Sequence, residues 1–223
     1  MEVNNIIDTI LDMIYPQVCG ICGKVARKSI CNKCRIRLKN EFKFEKVDYS
    51  EDTEKNFKEH YYFFKYADLI RQQILDLKFH EKPYVGKTIT YFLKENKKDL
   101  KILEKYDIIT VVPVSIGRKK ERGYNQSTIL AKEISRIIER PFIENVLYKI
   151  KNTVPQSTLN KEQREQNAKG VYKVNSIQKI YDKKILIFDD IYTTGSTVNE
   201  CAKVLGEHGI RKEQIGVMTI AKD

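Results

Sequence analysis

The chain has 223 residues, with 41 Lys and Arg against 30 Asp and Glu, so its formal net charge is +11. Hydrophobic residues make up 41% of the chain and aromatic residues 10%, which is enough for a packed core and argues against general disorder. The sequence contains no apolar run near the roughly 20 residues that cross a bilayer, and no secretory signal at its start.

These properties predict a cytoplasmic, globular protein that is not an integral membrane protein. A location at the inner face of the membrane stays open. The basic excess is spread along the chain and favours anionic partners such as phosphates, nucleic acid or acidic lipid. A lysine-rich surface that serves only solubility explains the same charge equally well.

The first predicted element is a short amphipathic helix that ends before Pro16. Its apolar stripe is expected to pack against the segment that follows. A role at a membrane surface is the weaker alternative, because the polar face carries Asp8 and Asp12 where lysines would be expected. The apolar residues recur at steps of three and four, and they are Ile6, Ile7, Ile10, Leu11 and Ile14.

Four of the five cysteines form two Cys-x2-Cys pairs separated by eight residues. Two such pairs place four thiolates around a tetrahedral Zn2+ and leave no open position, so we predict a structural zinc site. Two disulfides are the alternative, and they do not suit a chain that shows no sign of secretion. The predicted ligands are Cys19, Cys22, Cys31 and Cys34, whereas Cys201 is expected to pack inside a helix.

The sequence predicts three units along the chain. Residues 1–44 hold the N-terminal helix and the zinc module, residues 45–59 form a charged linker, and residues 60–223 form an α/β domain. In the last unit, apolar β-prone runs alternate with amphipathic helical patterns, which predicts a mostly parallel sheet flanked by helices. The expected strands are 61–66, 108–112, 184–188 and 215–221, and the expected helices are 68–77, 84–97, 124–140 and 198–208.

Residues 185–197 hold the motif with the clearest chemistry, Ile-Leu-Ile-Phe-Asp-Asp-Ile-Tyr-Thr-Thr-Gly-Ser-Thr. Parallel sheets bind ligands beyond the carboxyl ends of their strands, and a helix start presents backbone amides to a phosphate. Two carboxylates beside it can accept hydrogen bonds from a sugar diol. An acidic turn with an N-capping cluster is the alternative. We predict a sugar-phosphate site formed by Asp189, Asp190, Thr193, Thr194, Gly195, Ser196 and Thr197.

This motif resembles the phosphoribosyl-pyrophosphate (PRPP) loop of type I phosphoribosyltransferases. Two further segments resemble the ComF/GntX family, one from Val112 to Ala131 around Arg122-Gly123-Tyr124-Asn125-Gln126, and one from Thr153 to Ala168. The paired Cys-x2-Cys motif and Leu77-Lys78-Phe79-His80 also fit that family. Ser115 and Tyr124 stand where the family usually has Pro and Phe, and both changes are mild. The resemblance covers nearly the whole chain.

The resemblance implies a type I phosphoribosyltransferase-like fold with an N-terminal zinc finger. It implies an enzyme that displaces pyrophosphate from the ribose of PRPP, with Mg2+ bound alongside PRPP and with Asp189 and Asp190 as catalytic carboxylates. Several family members are tied to natural competence, the uptake of single-stranded DNA. The implied partners are therefore PRPP, single-stranded DNA and uptake machinery such as a helicase-type protein, while the acceptor stays undefined.

Two alternatives to a phosphoribosyltransferase remain open. The protein can be a competence factor that binds single-stranded DNA and uses the fold for recognition, or a regulator that binds PRPP without catalysis. The zinc segment is the natural candidate for contact with DNA or a partner, because sixteen residues contain seven basic side chains and no acid. A solvated face of a small module is the other interpretation. The seven are Lys24, Arg27, Lys28, Lys33, Arg35, Arg37 and Lys39.

The resemblance also assigns two loops. The pyrophosphate-binding loop follows strand 108–112 and contains Val114, Ser115, Arg118 and Arg122, with a solvated basic turn as the alternative. Asn125 and Gln126 come just after it, and we interpret the pair as more than a helix cap requires. The mobile loop over the site contains Gln156, Arg164 and Asn167, with an ordinary surface helix as the alternative. The three histidines receive no catalytic role.

Overall fold

The fold is known from a computed structural model of the chain. It describes residues 18–79, 83–115, 117, 125–151, 153, 159–175 and 177–223. The predicted N-terminal helix lies outside the described residues, as do Arg118, Arg122, Gln156 and His80.

The helices and strands alternate through most of the described chain. The strands are β1 (Glu45–Asp48), β2 (Glu59–Lys65), β3 (Ile108–Val111), β4 (Leu147–Lys149), β5 (Tyr172–Val174), β6 (Ile185–Tyr192) and β7 (Ile215–Lys222). The α-helices are α1 (Asn32–Glu41), α2 (Asp68–Phe79), α3 (Pro83–Glu95), α4 (Lys97–Leu100), α5 (Gln126–Ile137), α6 (Lys161–Ala168) and α7 (Ser196–Gly206). Short 3-10 turns lie at Lys101–Lys105, Glu144–Val146, Ile177–Lys179 and Lys212–Gln214.

In the described part of the chain, five strands form one sheet in the order β1-β2-β7-β6-β3. Strands β2, β7, β6 and β3 are parallel, and β1 is antiparallel to β2 at one edge. Strands β4 and β5 pair separately as a small antiparallel ribbon. The predicted α/β class, with a mostly parallel sheet flanked by helices, is confirmed. The carboxyl ends of β3, β6 and β7 therefore meet at one edge.

The sheet is buried on both faces, which explains the continuous apolar runs in its strands. Leu186 and Phe188 of β6 pack in one core cluster that also takes residues from α2, α3 and α5. Ile185 and Ile187 pack in a second cluster with α7 and the β4–β5 ribbon. Each such side chain contributes roughly 1.5–3 kcal/mol on burial, so the alternation of β6 between two cores fixes its register.

Several elements differ from their predicted bounds. Strand β6 runs to Tyr192 rather than Phe188, so Asp189 and Asp190 lie inside the strand. Helix α5 is shorter than predicted, because Asn125 caps its start and Glu139 has a φ of +55° just beyond its end. The segment 45–59 contains β1, paired with β2, within the stretch predicted to be a linker. The division of the chain into three units stays a prediction.

Candidate functional site

The four clustered cysteines have the geometry of a structural zinc site. Their sulfur atoms all lie within 4.8 Å of one another, and the Cys22 and Cys31 sulfurs are 3.8 Å apart. A tetrahedral zinc with Zn–S bonds of about 2.3 Å has S–S edges of about 3.8 Å. The chemistry of the donors and their spacing therefore fit Zn2+, and no disulfide links these residues.

The backbone around Cys19 is folded to support a thiolate. Burial raises the pKa of Cys19, but hydrogen bonds to its sulfur from the backbone of Cys31, Cys22 and Ile21 more than offset this and lower the pKa to about 7. Gly23 has a φ of +70°, which lets the Gly23 N–H donate back to the Cys19 carbonyl at 2.9 Å. This turn directs amide groups towards the metal ligand, as the Cys-x2-Cys motif predicts.

The zinc module packs directly on the α/β core. Cys19, Cys34 and Leu38 are buried within the same core cluster as the helices on that face of the sheet. The Thr88 hydroxyl on α3 donates to the Ser29 carbonyl at 2.6 Å. An ion pair between Arg35 and Glu95, 3.1 Å apart, adds a surface contact to α3. Loss of the metal is therefore expected to destabilise the α/β core as well as the module.

The motif after β6 forms a tight turn at the carboxyl edge of the sheet. Gly195 has a φ of +74° and is the N-cap of α7, a conformation that glycine adopts without strain. Asp189 is half-buried and Asp190 is buried, and the Asp190 amide donates to Asp189 Oδ1 at 2.9 Å. Asp189, Ile191 and Thr197 line a shallow depression that is open to solvent, together with Tyr192, Thr193, Thr194, Gly195, Ser196 and Val198.

The hydroxyls of the turn already form hydrogen bonds near the start of α7. The Thr194 and Ser196 hydroxyls bond to each other, and the Ser196 amide donates to Thr194 Oγ1 at 3.3 Å. An anion oxygen can take the place of Thr194 Oγ1 as acceptor, because the helix dipole favours negative charge there. The predicted phosphate residues are therefore adjacent in space and contain the donors that a phosphate requires.

Cys201 is buried in α7, as the sequence predicts. Burial raises its pKa well above the ordinary value, and the negative charges of Asp189 and Glu200 raise it further. A thiol in this state is a poor nucleophile, so Cys201 contributes packing. Asp189 shares the alternation of Ile185 and Ile187 along β6, which places its side chain on the α7 side of the sheet.

The loop predicted to bind pyrophosphate starts and ends at the carboxyl end of β3. Val114 is half-buried and Ser115 is buried. Asn125, at the far end, donates from Nδ2 to the Val112 carbonyl at 3.4 Å. Its side chain also accepts from the Ser127 amide at 3.1 Å and caps α5. Asn125 thus caps α5 and also ties its start to the end of β3, and a further role for Asn125 and Gln126 stays a prediction.

Residues of the predicted mobile loop fall on a capped helix. Arg164 and Asn167 lie on α6 and are half-buried. Asn160 and Gln163 form a capping box that starts this helix, and α6 packs against α7. Locally, Arg164 and Asn167 thus have the structure of an ordinary helix, which was the alternative to a mobile loop. Closure of the loop over the site stays a prediction.

Sequence reasoning missed a buried aromatic stack beside the turn. The rings of His60 on β2 and Tyr192 on β6 are stacked with centroids 4.2 Å apart. His60 Nε2 is 2.9 Å from the Thr219 hydroxyl on β7. These residues lie on three neighbouring strands, so linear spacing gives no sign of the contact. In the sequence, His60 directly precedes the aromatic run of β2, so its burial cannot be distinguished from an exposed position at the start of the strand.

Burial of His60 predicts acid sensitivity of the fold. Burial, and secondly the charge of Lys222, lower the pKa of His60 from 6.5 to about 3. The ring faces Thr219, Tyr62, Tyr192 and Lys222, a set that contains no carboxylate. Below pH 6.5, His60 is therefore protonated in the unfolded chain, whereas in the folded chain it stays neutral until about pH 3. Stability from this group is present above pH 6.5 and is lost as the pH falls.

We expect the wild type to lose about 1–2 kcal/mol more unfolding free energy than His60→Phe between pH 7 and pH 5. Phenylalanine keeps a ring against Tyr192 but cannot take up a proton. Urea unfolding at the two pH values measures the difference, and other titrating groups cancel in the comparison. Identical pH dependence of both proteins would show that His60 is not held neutral.

None of the helices in the described part of the chain has the length and apolar character needed to span a membrane.

No family model matches the chain. Competence protein F of Haemophilus influenzae is 29% identical over 154 residues, which are 67% of this chain and 67% of that protein. Competence protein ComFC of Streptococcus pneumoniae is 26% identical over 205 residues, which are 92% of this chain and 81% of that protein.

The chain is therefore similar in sequence to the ComF competence proteins. The chain is also 30% identical to the DNA utilization protein YhgH of Escherichia coli over 109 residues, and it spans 47% of that protein. The resemblance stated from the motifs is confirmed by these relatives.

Two solved phosphoribosyltransferases have a low level of structural similarity to this chain. The purine phosphoribosyltransferase of Pyrococcus horikoshii Ot3 has a TM-score of 0.36 and 16% identity, covering 63% of this chain and 83% of that chain. The adenine phosphoribosyltransferase of Leishmania donovani has a TM-score of 0.36 and 12% identity, covering 74% and 84%. Neither likeness supports an inference about activity.

Proposed function

We propose that the protein binds PRPP at the carboxyl edge of its sheet and acts in DNA uptake during natural competence. The observation that supports this most is the turn at Gly195. It joins the end of a buried strand to a helix start, and Asp189 and Asp190 lie near the end of that strand. Phosphate donors and diol acceptors thus lie a few residues apart on one edge.

Each part of PRPP has a proposed contact. The 5′-phosphate binds the amides and hydroxyls of Thr193–Thr197, and the ribose diol binds Asp189 and Asp190. Pyrophosphate binds the loop after β3 through Val114 and Ser115, with Arg118 and Arg122 supplying charge. The carboxylate oxygens of the site are suitable ligands for Mg2+. When bound with PRPP, Mg2+ would neutralise charge on the pyrophosphate.

The proposed reaction is transfer of the phosphoribosyl group to an acceptor that is not yet defined. The acceptor attacks the anomeric carbon as the bond to pyrophosphate breaks, and positive charge grows on the ribose ring. Asp189 and Asp190 stabilise that charge, since fixed carboxylates in a half-buried site act strongly on it. A regulator that binds PRPP without transfer is the alternative.

A calorimetric titration of zinc-loaded protein with PRPP and Mg2+ tests the proposal. Binding with one PRPP per chain supports it, and no heat of binding to folded protein contradicts it. Release of pyrophosphate in the presence of a panel of nucleobases then separates a transferase from a regulator. Binding without release favours the regulator.

A second candidate function is binding of single-stranded DNA by the zinc module. The observation in its favour is that all seven basic side chains between Lys24 and Lys39 are exposed. Val25 and Ile36 lie among them with 70% and 60% of their surface exposed. A basic face with apolar side chains suits a strand whose phosphates and bases are both accessible. The uptake machinery, including a helicase-type protein, is the proposed partner for delivery of that strand.

Four changes on this face should weaken DNA binding and its salt dependence. We expect Lys24→Gln, Arg27→Gln, Lys33→Gln and Arg37→Gln together to lower the log–log salt slope by up to about 3, because each single-strand phosphate contact contributes about 0.7. Fluorescence anisotropy of a labelled oligonucleotide at several salt concentrations measures the slope. The matched control changes four exposed lysines elsewhere to glutamine: Lys98, Lys101, Lys179 and Lys183. Equal slopes for the two variants would contradict a site on the module.

A further inference from the structure

The turn at Gly195 rests on the ring of Tyr192, the last residue of β6. A Cβ added to Gly195 would overlap the hydroxyl end of that ring. Gly195 also has a φ of +74°. The turn therefore requires both the left-handed backbone conformation and the absence of a side chain that glycine provides. The chain therefore folds back over the tyrosine before α7 begins, and the position of the ring sets the shape of the turn.

The Tyr192 ring has two neighbours from other parts of the chain, His60 and Tyr49. One neighbour is His60, stacked at 4.2 Å with an interplanar angle of 24°. Burial, and secondly the neighbouring Tyr49 side chain, raise the pKa of the Tyr192 hydroxyl. His60 is held in turn by the Thr219 hydroxyl at 2.9 Å. Residues from β2, β6, β7 and the segment after β1 thus meet under a single turn.

The stack retains a polar atom at a cost to the fold. His60 is fully buried, and its Nδ1 atom has no hydrogen-bond partner among the described residues. A buried polar atom without a partner costs about 1–3 kcal/mol. An aliphatic or phenyl side chain would fill the same space without that cost. The unpaired Nδ1 atom of His60 lies directly beneath the predicted phosphate turn. This location points to a role of His60 beyond packing.

We propose that Tyr192 and His60 are positioning residues that hold the Thr193–Thr197 turn in the shape that binds the 5′-phosphate of PRPP. This inference rests on the proposed function. Neither residue needs to touch the ligand, because each acts through Gly195. The stack should therefore affect ligands that contain the sugar phosphate and leave free pyrophosphate unaffected.

The test compares two probes, ribose 5-phosphate and pyrophosphate with Mg2+, by calorimetry. We expect Tyr192→Leu to raise the Kd of ribose 5-phosphate at least about tenfold and to change that of pyrophosphate less than about twofold. Tyr192→Phe keeps the ring and should stay within about threefold of the wild type for both probes. His60→Ala removes the far side of the stack and should weaken ribose 5-phosphate alone, which keeps the test available if Tyr192→Leu does not fold.

The matched control is Tyr106→Leu. Tyr106 is buried, and its ring likewise lies against a glycine, Gly216, at the opposite end of the sheet. We expect this variant to lose stability but to bind both probes as the wild type does. Failure of the wild type to bind ribose 5-phosphate would overturn the proposed function. Wild-type binding that Tyr192→Leu and His60→Ala leave unchanged, or equal weakening of both probes, would overturn only the positioning role.

Discussion

The double substitution Asp189→Asn and Asp190→Asn is expected to reduce pyrophosphate release from PRPP by about 10²–10³-fold. Asparagine keeps the shape of both side chains but removes the two negative charges that would stabilise the ribose as the pyrophosphate leaves. Binding of PRPP should weaken as well, because the diol loses its charged acceptors. A coupled assay for pyrophosphate measures the first effect, and calorimetry measures the second.

The same variant should bind single-stranded DNA as well as the wild type or slightly better, since two negative charges are lost. The control for net charge is Glu51→Gln with Glu213→Gln, two exposed carboxylates away from the turn. This control should keep PRPP turnover unchanged. Equal loss of turnover and of DNA binding in folded Asp189→Asn and Asp190→Asn protein would contradict separate sites.

The second large effect concerns the metal. We expect Cys19→Ser with Cys34→Ser to abolish zinc binding and to lower unfolding free energy by about 3 kcal/mol or more, which for a chain of this size lowers the Tm by about 6–12 °C. Both cysteines are buried in the main core cluster, so without the metal their surroundings lose both a cross-link and a packed surface. Metal analysis and calorimetric melting measure the two quantities.

Cys201→Ala is the matched control, because Cys201 is an equally buried cysteine outside the cluster. It should keep one zinc per chain and lose only the small packing contribution of a sulfur atom. Full zinc content in the Cys19→Ser and Cys34→Ser variant would exclude these residues as ligands. Loss of zinc without any fall in Tm would show that the module does not support the core.

Much of the site follows from contiguous sequence. The residues from Ile185 to Thr197 form strand, turn and helix start without a break, so their order already places the acidic pair beside the phosphate donors. The cysteine pairs are also local, because only two residues separate the cysteines of each pair. Helix α7 was predicted close to its true bounds, since its apolar residues recur at helical spacing.

The prediction was weaker wherever neighbours are distant in the chain. The β4–β5 ribbon has only three residues in each strand, too few for a periodic pattern. Helix α6 is polar on most sides and is defined by its capping box. The end of β6 was placed four residues early, because the acidic pair interrupts the apolar run while the backbone continues to pair with β7.

The sequence by itself determined the α/β class and predicted the zinc ligands and the phosphate turn proposed here, because each depends on residues close together in the chain or on repeating burial patterns. Only the tertiary structure decided that the zinc module packs on α3 and that His60 and Tyr192 stack beneath Gly195. Those contacts join residues more than 50 positions apart. Their energy depends on which surfaces meet after the sheet forms, and no local pattern records that choice.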